Sequence, residues 1–165
     1  VVTDGYQVYH SLEKEFEDLK IAGCWSHARR RFANVVKALG KEKAKGTLAN
    51  DALKQIAAIY KVEGLLSELS SEERQKQRQL TVKPLVDAFF AWVKMNQNTV
   101  LPKSETGKGF TYCINQEKYL RVFLEDGEVP MDNNASERAI RGFCIGKKNW
   151  EMIDTINGAT SSAII

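Results

Sequence analysis

Over about half of the chain the apolar residues recur almost only at helical spacing, and this pattern restricts the fold more than any other feature. It extends from Thr47 to about Asp126 in a sequence of 165 residues. Its two apolar faces are formed by Leu53, Ile56, Tyr60, Leu65 and Leu69, and by Val82, Leu85, Phe89 and Val93. A stripe that returns every three or four residues is typical of helices that bury one side. The sequence therefore predicts a mostly helical protein.

A different pattern precedes this stretch. Val1–Asp4 and Ile21–Trp25 are short and apolar and predict strands, whereas Tyr6–Leu19 between them has helical spacing. Ser26 is a suitable N-cap for a second helix, which Gly40 is expected to end. The order strand, helix, strand, helix is typical of a parallel βαβ unit, so an α/β core is expected here.

Local signals predict where the later helices begin, bend and end. Ser70 and Glu73 have the spacing of a capping box, so a helix is expected to start there. Pro84 predicts a kink in the helix that contains it. Two short helices are predicted over Phe110–Ile114 and Tyr119–Leu124.

We therefore expect an α/β core that is interrupted by an all-α insertion. The expected segments are residues 1–40 (strand, helix, strand, helix), residues 41–127 (the helical block) and residues 128–165 (the core again). The chain opens inside an apolar run and closes on Ala163-Ile164-Ile165. It is therefore predicted to be an internal part of a longer protein, truncated at the N-terminal side of its core.

Composition excludes several classes of protein. The chain has 43% hydrophobic and 27% charged residues, a balance typical of a folded domain rather than a disordered one. No apolar run approaches the ~18 residues of a membrane span, so we expect no membrane partner. The three cysteines are too few and too scattered for a disulfide framework, and no leader sequence is present, so a cytoplasmic protein is expected.

Two acidic residues lie where α/β proteins build metal sites. Asp4 ends the first predicted strand, and ligands bind beyond the carboxyl ends of strands. Glu137 lies near the start of a helix predicted over Ala135–Phe143, after capping residues at positions 132–134. Carboxylate oxygens suit Mg²⁺. In the simpler alternatives, Asp4 belongs to a turn and Glu137 is the capping partner of Asn134.

Basic residues cluster in two places. Seven Lys and Arg residues occur between Arg29 and Lys45 with one acid among them, and four occur between Arg138 and Lys148 with none. The net charge is only +3, so the clustering is more informative than the total. Such clusters bind the phosphates of nucleic acids, although a solvated helix face gives the same pattern.

Cysteine, histidine and tryptophan residues could serve in metal or base binding, but their spacing favours structural roles. Cys24 and His27 have the spacing of half a zinc site, but no second Cys or His pair completes it, so a buried cysteine and a locally bonded histidine are expected. Trp25 is assigned a structural role. Trp150 follows two lysines and would stack on a base in one interpretation, but a role in the core is favoured.

Four segments, in order, resemble the signatures of the bacterial insertion sequence 66 transposases. They are Thr3-Asp4-Gly5-Tyr6 with Tyr9, Gly23-Cys24-Trp25-Ser26-His27-Ala28-Arg29-Arg30 with Phe32, Asp132-Asn133-Asn134-Ala135-Ser136-Glu137-Arg138-Ala139-Ile140-Arg141, and Ile145-Gly146-Lys147-Lys148-Asn149-Trp150 followed by Gly158-Ala159. Each segment alone is weak. Together, with a helical stretch between the second and the third, they are specific.

The resemblance implies a DDE transposase with a ribonuclease H-like core. By this likeness Asp4 is the second catalytic acid and Glu137 the catalytic glutamate, and together they bind two Mg²⁺ or Mn²⁺ ions. The first aspartate of the family has no counterpart here and is expected upstream of Val1, so this piece alone is expected to be inactive. The full-length protein is expected to cut DNA at the ends of an insertion sequence and join them to target DNA.

The same likeness implies DNA as the partner and a homo-oligomer in the DNA complex, located in the bacterial cytoplasm and at the nucleoid when DNA is bound. The expected DNA-binding residues are Arg29, Arg30, Arg31, Asn133, Asn134, Arg138, Arg141, Lys147, Lys148 and Asn149. Two alternatives stay open from the residues alone. One is a non-enzymatic basic helical DNA-binding module, and the other is a protein-interaction domain with solvated basic faces.

Overall fold

Two short strands form a parallel pair in the computed structural model, which describes residues 1–3, 16 and 19–139. Strands β1 (Val2–Thr3) and β2 (Ala22–Gly23) are in register, with Val2 opposite Ala22 and Thr3 opposite Gly23. Parallel strands need a crossover connection. The parallel pairing predicted from the sequence is confirmed, while most of the helix predicted between the strands lies outside the described residues.

Helix α1 (Trp25–Leu39) follows β2 directly and ends where the sequence predicts. Gly40 has a φ of +80°, a conformation that favours glycine. The start differs from the prediction, because Cys24 and not Ser26 is the N-cap residue. Tertiary packing sets this start: the Trp25 ring is fully buried, and its Nε1 donates to the Leu120 carbonyl at 2.8 Å.

The rest of the described chain is mostly helical, as predicted. Its elements are α2 (Lys41–Ala44), α3 (Leu48–Gly64), α4 (Ser71–Gln77), a π turn (Arg78–Val82), α5 (Lys83–Asn96), a 3₁₀ turn (Gln97–Thr99), α6 (Glu105–Leu120), a 3₁₀ turn (Val122–Leu124) and helical residues 134–139. The Ser70 hydroxyl accepts from the Glu73 amide and caps α4, which confirms the predicted start. No helix within the described residues is long and apolar enough to cross a membrane.

Two details of the helical block differ from the prediction. Helix α6 replaces the two short helices predicted over residues 110–124; it begins at a Ser104 cap, and polar residues that interrupt the apolar pattern still belong to it. Glu117 is one of them, and it binds Lys94 at 2.7 Å. Pro84 lies in the first turn of α5, where its missing N–H costs little. The irregularity comes just before it, as the π turn.

An aromatic cluster joins α1 to the helices that follow. The Trp25 ring packs against Phe89 at 5.6 Å, Phe90 at 5.9 Å and Phe123 at 6.3 Å between ring centroids. Edge-on and tilted aromatic pairs at such distances add to the free energy of burial. The helical block therefore shares one hydrophobic core with α1.

A glycine at the α1–α6 contact tests how tight this core is. A Cβ added at Gly109 would lie 2.7 Å from the nearest atom of the buried Phe32 ring. We expect Gly109→Ala to lower the free energy of unfolding by about 1–3 kcal/mol through overpacking. Urea denaturation measures this change. Gly64→Ala is the control, since nothing lies within 4 Å of its added Cβ and alanine favours helix. Equal effects of the two variants would contradict the expected overpacking.

Candidate functional site

Two backbone hydrogen bonds join Thr3, the start of α1 and Met131 at the carboxyl end of the strand pair. The Cys24 amide donates to the Thr3 carbonyl at 2.9 Å, which ties the second segment to the residue before Asp4. The next amide, that of Trp25, donates to the Met131 carbonyl at 3.2 Å, which ties it to the residue before Asp132. Two consecutive backbone amides thus connect segments that are more than 100 positions apart in the sequence.

Asp132, at the start of the third segment, is bound by a side chain of the helical block. The Tyr60 hydroxyl on α3 donates to Asp132 Oδ2 at 2.9 Å. Burial raises the pKa of Tyr60 well above its usual range, and the Asp132 carboxylate adds to the rise because it repels a phenolate. The raised pKa favours the neutral phenol, which can donate its proton to the carboxylate in a hydrogen bond.

The structure describes one of the two predicted catalytic acids. Glu137 is partly buried in helical residues 134–139, and its amide donates to the Asn133 carbonyl at 2.9 Å. The predicted helix start is therefore confirmed, and Glu137 lies in the first turn, where a carboxylate is stabilised by the helix dipole. Asp4 lies outside the described residues, although its neighbour Thr3 is buried in the strand pair.

The predicted DNA-binding residues are described in part. Arg29, Arg30 and Arg31 are exposed on α1, and the Arg31 guanidinium lies 4.4 Å from the centroid of the Tyr112 ring. Arg138 is exposed, and Asn133 and Asn134 are partly buried. The remaining predicted residues lie outside the described part of the chain; they are Arg141, Lys147, Lys148, Asn149 and also Trp150.

The arginines of α1 begin a longer exposed basic face. It continues through the end of α1 and across α2 with exposed Lys37, Lys41, Lys43 and Lys45. One of these lysines, Lys45, binds Glu42 at 2.7 Å. The face therefore carries seven exposed cations and one exposed acid, Glu42.

Cys24 and His27 lie at the same end of the strand pair. Cys24 is buried, with its Sγ 3.0 Å from Ser26 Oγ, and His27 is partly buried in the first turn of α1. In the described part of the chain, no group of three or more His, Cys, Asp or Glu side chains is placed to hold a metal ion. Asp4 lies outside that part of the chain.

A buried arginine binds the segment that leads to Asp132, and the sequence does not predict it. Arg78, in the π turn, is only 2% exposed. Its Nε lies 3.1 Å from a carboxylate oxygen of Glu63, and its Nη1 donates to the Phe123, Asp126 and Val129 carbonyls at 2.7, 2.6 and 3.0 Å. An arginine among other charged helix residues gives no local sign of burial, because its partners are distant along the chain.

Comparison with known proteins identifies the family. The model of the IS66 transposase family matches residues 1–161. Two uncharacterised proteins of Sinorhizobium fredii are similar: y4hP is 31% identical over 154 residues, and y4jD is 28% identical over 167. These matches cover 89% and 98% of this chain but only 28% and 32% of the relatives, so the chain spans about a third of their length. No solved structure matches. The chain therefore belongs to the IS66 family of transposases, in agreement with its four signature segments.

Proposed function

We propose that this chain supplies two metal-binding carboxylates, Asp4 and Glu137, to a DDE transposase that cleaves DNA and transfers its strands. The observation that carries the proposal is the pair of backbone hydrogen bonds that the Cys24 amide donates to the Thr3 carbonyl and the Trp25 amide to the Met131 carbonyl. They tie the residue before Asp4 and the segment that leads to Glu137 to the same end of one strand pair. Ligand sites of α/β proteins form at that end.

The chemistry of these residues fits Mg²⁺ or Mn²⁺. Carboxylate oxygens, with amide oxygens of neighbouring asparagines, are hard donors that such ions prefer. When bound, a pair of these ions would supply the activation of water and the stabilisation of the leaving oxygen that phosphodiester cleavage needs. Asp4 and Glu137 would hold the ions, while Arg138 and Arg141 would bind the phosphates of the DNA backbone.

The proposed architecture follows from the same assignment. Residues 1–40 and 128–165 form part of a ribonuclease H-like core, and residues 41–127 are inserted into it. The active transposase is a homo-oligomer on DNA in the bacterial cytoplasm. The two parallel strands and the long helical stretch between the signature segments support this architecture.

The exposed basic face of α1 and α2 predicts salt-dependent DNA binding. Arg29→Ala and Arg30→Ala are each expected to reduce the slope of log affinity against log salt by about 0.9, because each arginine releases one counterion from a phosphate. Fluorescence anisotropy with a labelled DNA duplex measures the slope.

A lysine elsewhere on the surface provides the control for this experiment. Lys83→Ala removes an exposed cation of α5 that binds Asp87 at 2.7 Å, and the slope should not change. If all three variants lower the slope equally, binding reflects total charge and the proposed face is wrong.

The enzymatic part of the proposal is tested with the full-length gene product. It should nick DNA that carries the ends of its own element in the presence of Mg²⁺, and Glu137→Gln should stop this while DNA binding persists. Binding without cleavage in the unmodified protein would instead favour a non-enzymatic DNA-binding module.

A further inference from the structure

The segment between α6 and Asp132 is held mainly by side chains from other helices. This connecting segment, residues 122–132, contains one 3₁₀ turn and is otherwise irregular. Its carbonyls therefore need hydrogen-bond donors from elsewhere, because a buried backbone group without a partner is costly. The structure provides these donors from α4 and the π turn.

Four donors on one helix face hold the first part of the connecting segment. They are Arg74, Gln75, Arg78 and Gln79, whose spacing of one, three and one residues places them on the same side of the helix. Arg74 donates to the Gly127 carbonyl at 2.9 Å, and Arg78 to three carbonyls. Gln75 donates to the Glu125 carbonyl at 2.5 Å and Gln79 to that of Leu124 at 2.7 Å.

The contact between α4 and the connecting segment is close as well as polar. A Cβ added at Gly127 would lie 1.9 Å from the Ser71 carbonyl oxygen, so the two backbones are nearly in contact. Tyr60 on α3 makes the last of these contacts, to Asp132 at 2.9 Å. Asp132 is five residues before Glu137 and one before Asn133, whose carbonyl accepts from the Glu137 amide.

We propose that the helices of the block position the catalytic glutamate through this segment, and that Tyr60 is a positioning residue for Glu137. The inference rests on the proposed function of Glu137. It assigns a role to the helical block beyond adding surface. The four donors fix the path of the segment, and Tyr60 holds Asp132, two residues before the Glu137 helix starts. Misplacement of a reacting group by about 1 Å can cost a hundredfold in rate.

Tyr60→Phe tests the inference, because it removes only the hydroxyl and leaves the ring packed. A hydrogen bond to a carboxylate is stronger than a neutral one. We expect amide exchange over residues 133–139 to become roughly tenfold faster. In the full-length gene product we expect kcat for Mg²⁺-dependent cleavage to fall roughly tenfold, with the KM for DNA unchanged.

Thr81→Val is the matched control. It removes an exposed hydroxyl of the π turn that donates at 2.7 Å to the Gln77 carbonyl, within its own helix. Exchange over residues 133–139 and kcat should both stay as in the unmodified protein. If Tyr60→Phe unfolds the protein, Gln79→Met is the second variant, since Gln79 is exposed and its amide binds the Leu124 carbonyl.

The outcomes separate this inference from the proposed function. Unchanged exchange and unchanged kcat in Tyr60→Phe would overturn the inference, and so would equal effects of Thr81→Val. Cleavage that persists in Glu137→Gln would overturn the proposed function, and the inference with it, whatever the exchange data show. Faster exchange with reduced kcat, together with inactive Glu137→Gln, supports both.

Discussion

Glu137→Gln is expected to abolish DNA cleavage by the full-length gene product while leaving DNA affinity within a fewfold of its original value. The substitution keeps the size and shape of the side chain but removes the charge that a divalent ion needs. Metal-ion stabilisation of a phosphoryl transition state is worth several kcal/mol, and each 1.36 kcal/mol is a factor of ten in rate. We therefore expect a loss of about a thousandfold or more, measured as nicking of end-labelled DNA.

Asp4→Asn should give the same loss, since both acids are proposed to hold the ions. Glu72→Gln is the control, because Glu72 is an exposed acid in the first turn of α4. It should cleave as well as the unmodified protein. Activity above a tenth of the original in Glu137→Gln would show that this carboxylate is not part of the catalytic site.

Arg78→Met is expected to have the largest effect on stability. Arg78 is 2% exposed, and its Nη2 lies 2.5 Å from Glu63 Oε1. Removing one partner leaves a largely buried carboxylate without its charge partner, and three carbonyls also lose their donor. Such a loss typically costs about 3–5 kcal/mol. Urea denaturation followed by circular dichroism measures the change in the free energy of unfolding.

An exposed ion pair provides the comparison for Arg78. Lys54 binds Asp51 at 3.2 Å on α3, with 68% of the lysine side chain exposed. Lys54→Met should change the free energy of unfolding by less than about 1 kcal/mol, since exposed pairs contribute little. An effect of Arg78→Met as small as this would mean that the connecting segment is held by other contacts.

The sequence predicts best those features whose cause is local. The end of α1 at Gly40 and the Ser70 cap each depend on residues close together in the chain, and both are confirmed. The parallel strand pair, also confirmed, joins residues only 20 positions apart. The predicted start of α1 is wrong, and so is the division of α6 into two short helices. In the first, the burial of Trp25 outweighs a good N-cap at Ser26; in the second, the apolar pattern is interrupted while the helix continues.

The contacts around the candidate site have causes that are distant in sequence. Tyr60 lies on an apolar face, and a buried hydroxyl indicates that a partner is needed, but nothing local identifies Asp132, 72 residues later. Arg78 has no local signal at all. The assignment of Asp4 and Glu137 as metal ligands stays a prediction from the family resemblance.

The π turn has a consequence for how the length of this protein can vary. A π turn corresponds to one extra residue within an otherwise continuous helix. Deleting one residue there would restore regular α-helical winding and leave the faces of α4 and α5 nearly in phase, whereas a deletion elsewhere in α4 would rotate the residues before it by about 100°. In that second case side chains of α4 that face residues 122–132 would turn away while Phe89 and Phe90 stayed beside Trp25. A one-residue deletion is therefore expected to be tolerated better between Arg78 and Val82 than within α4.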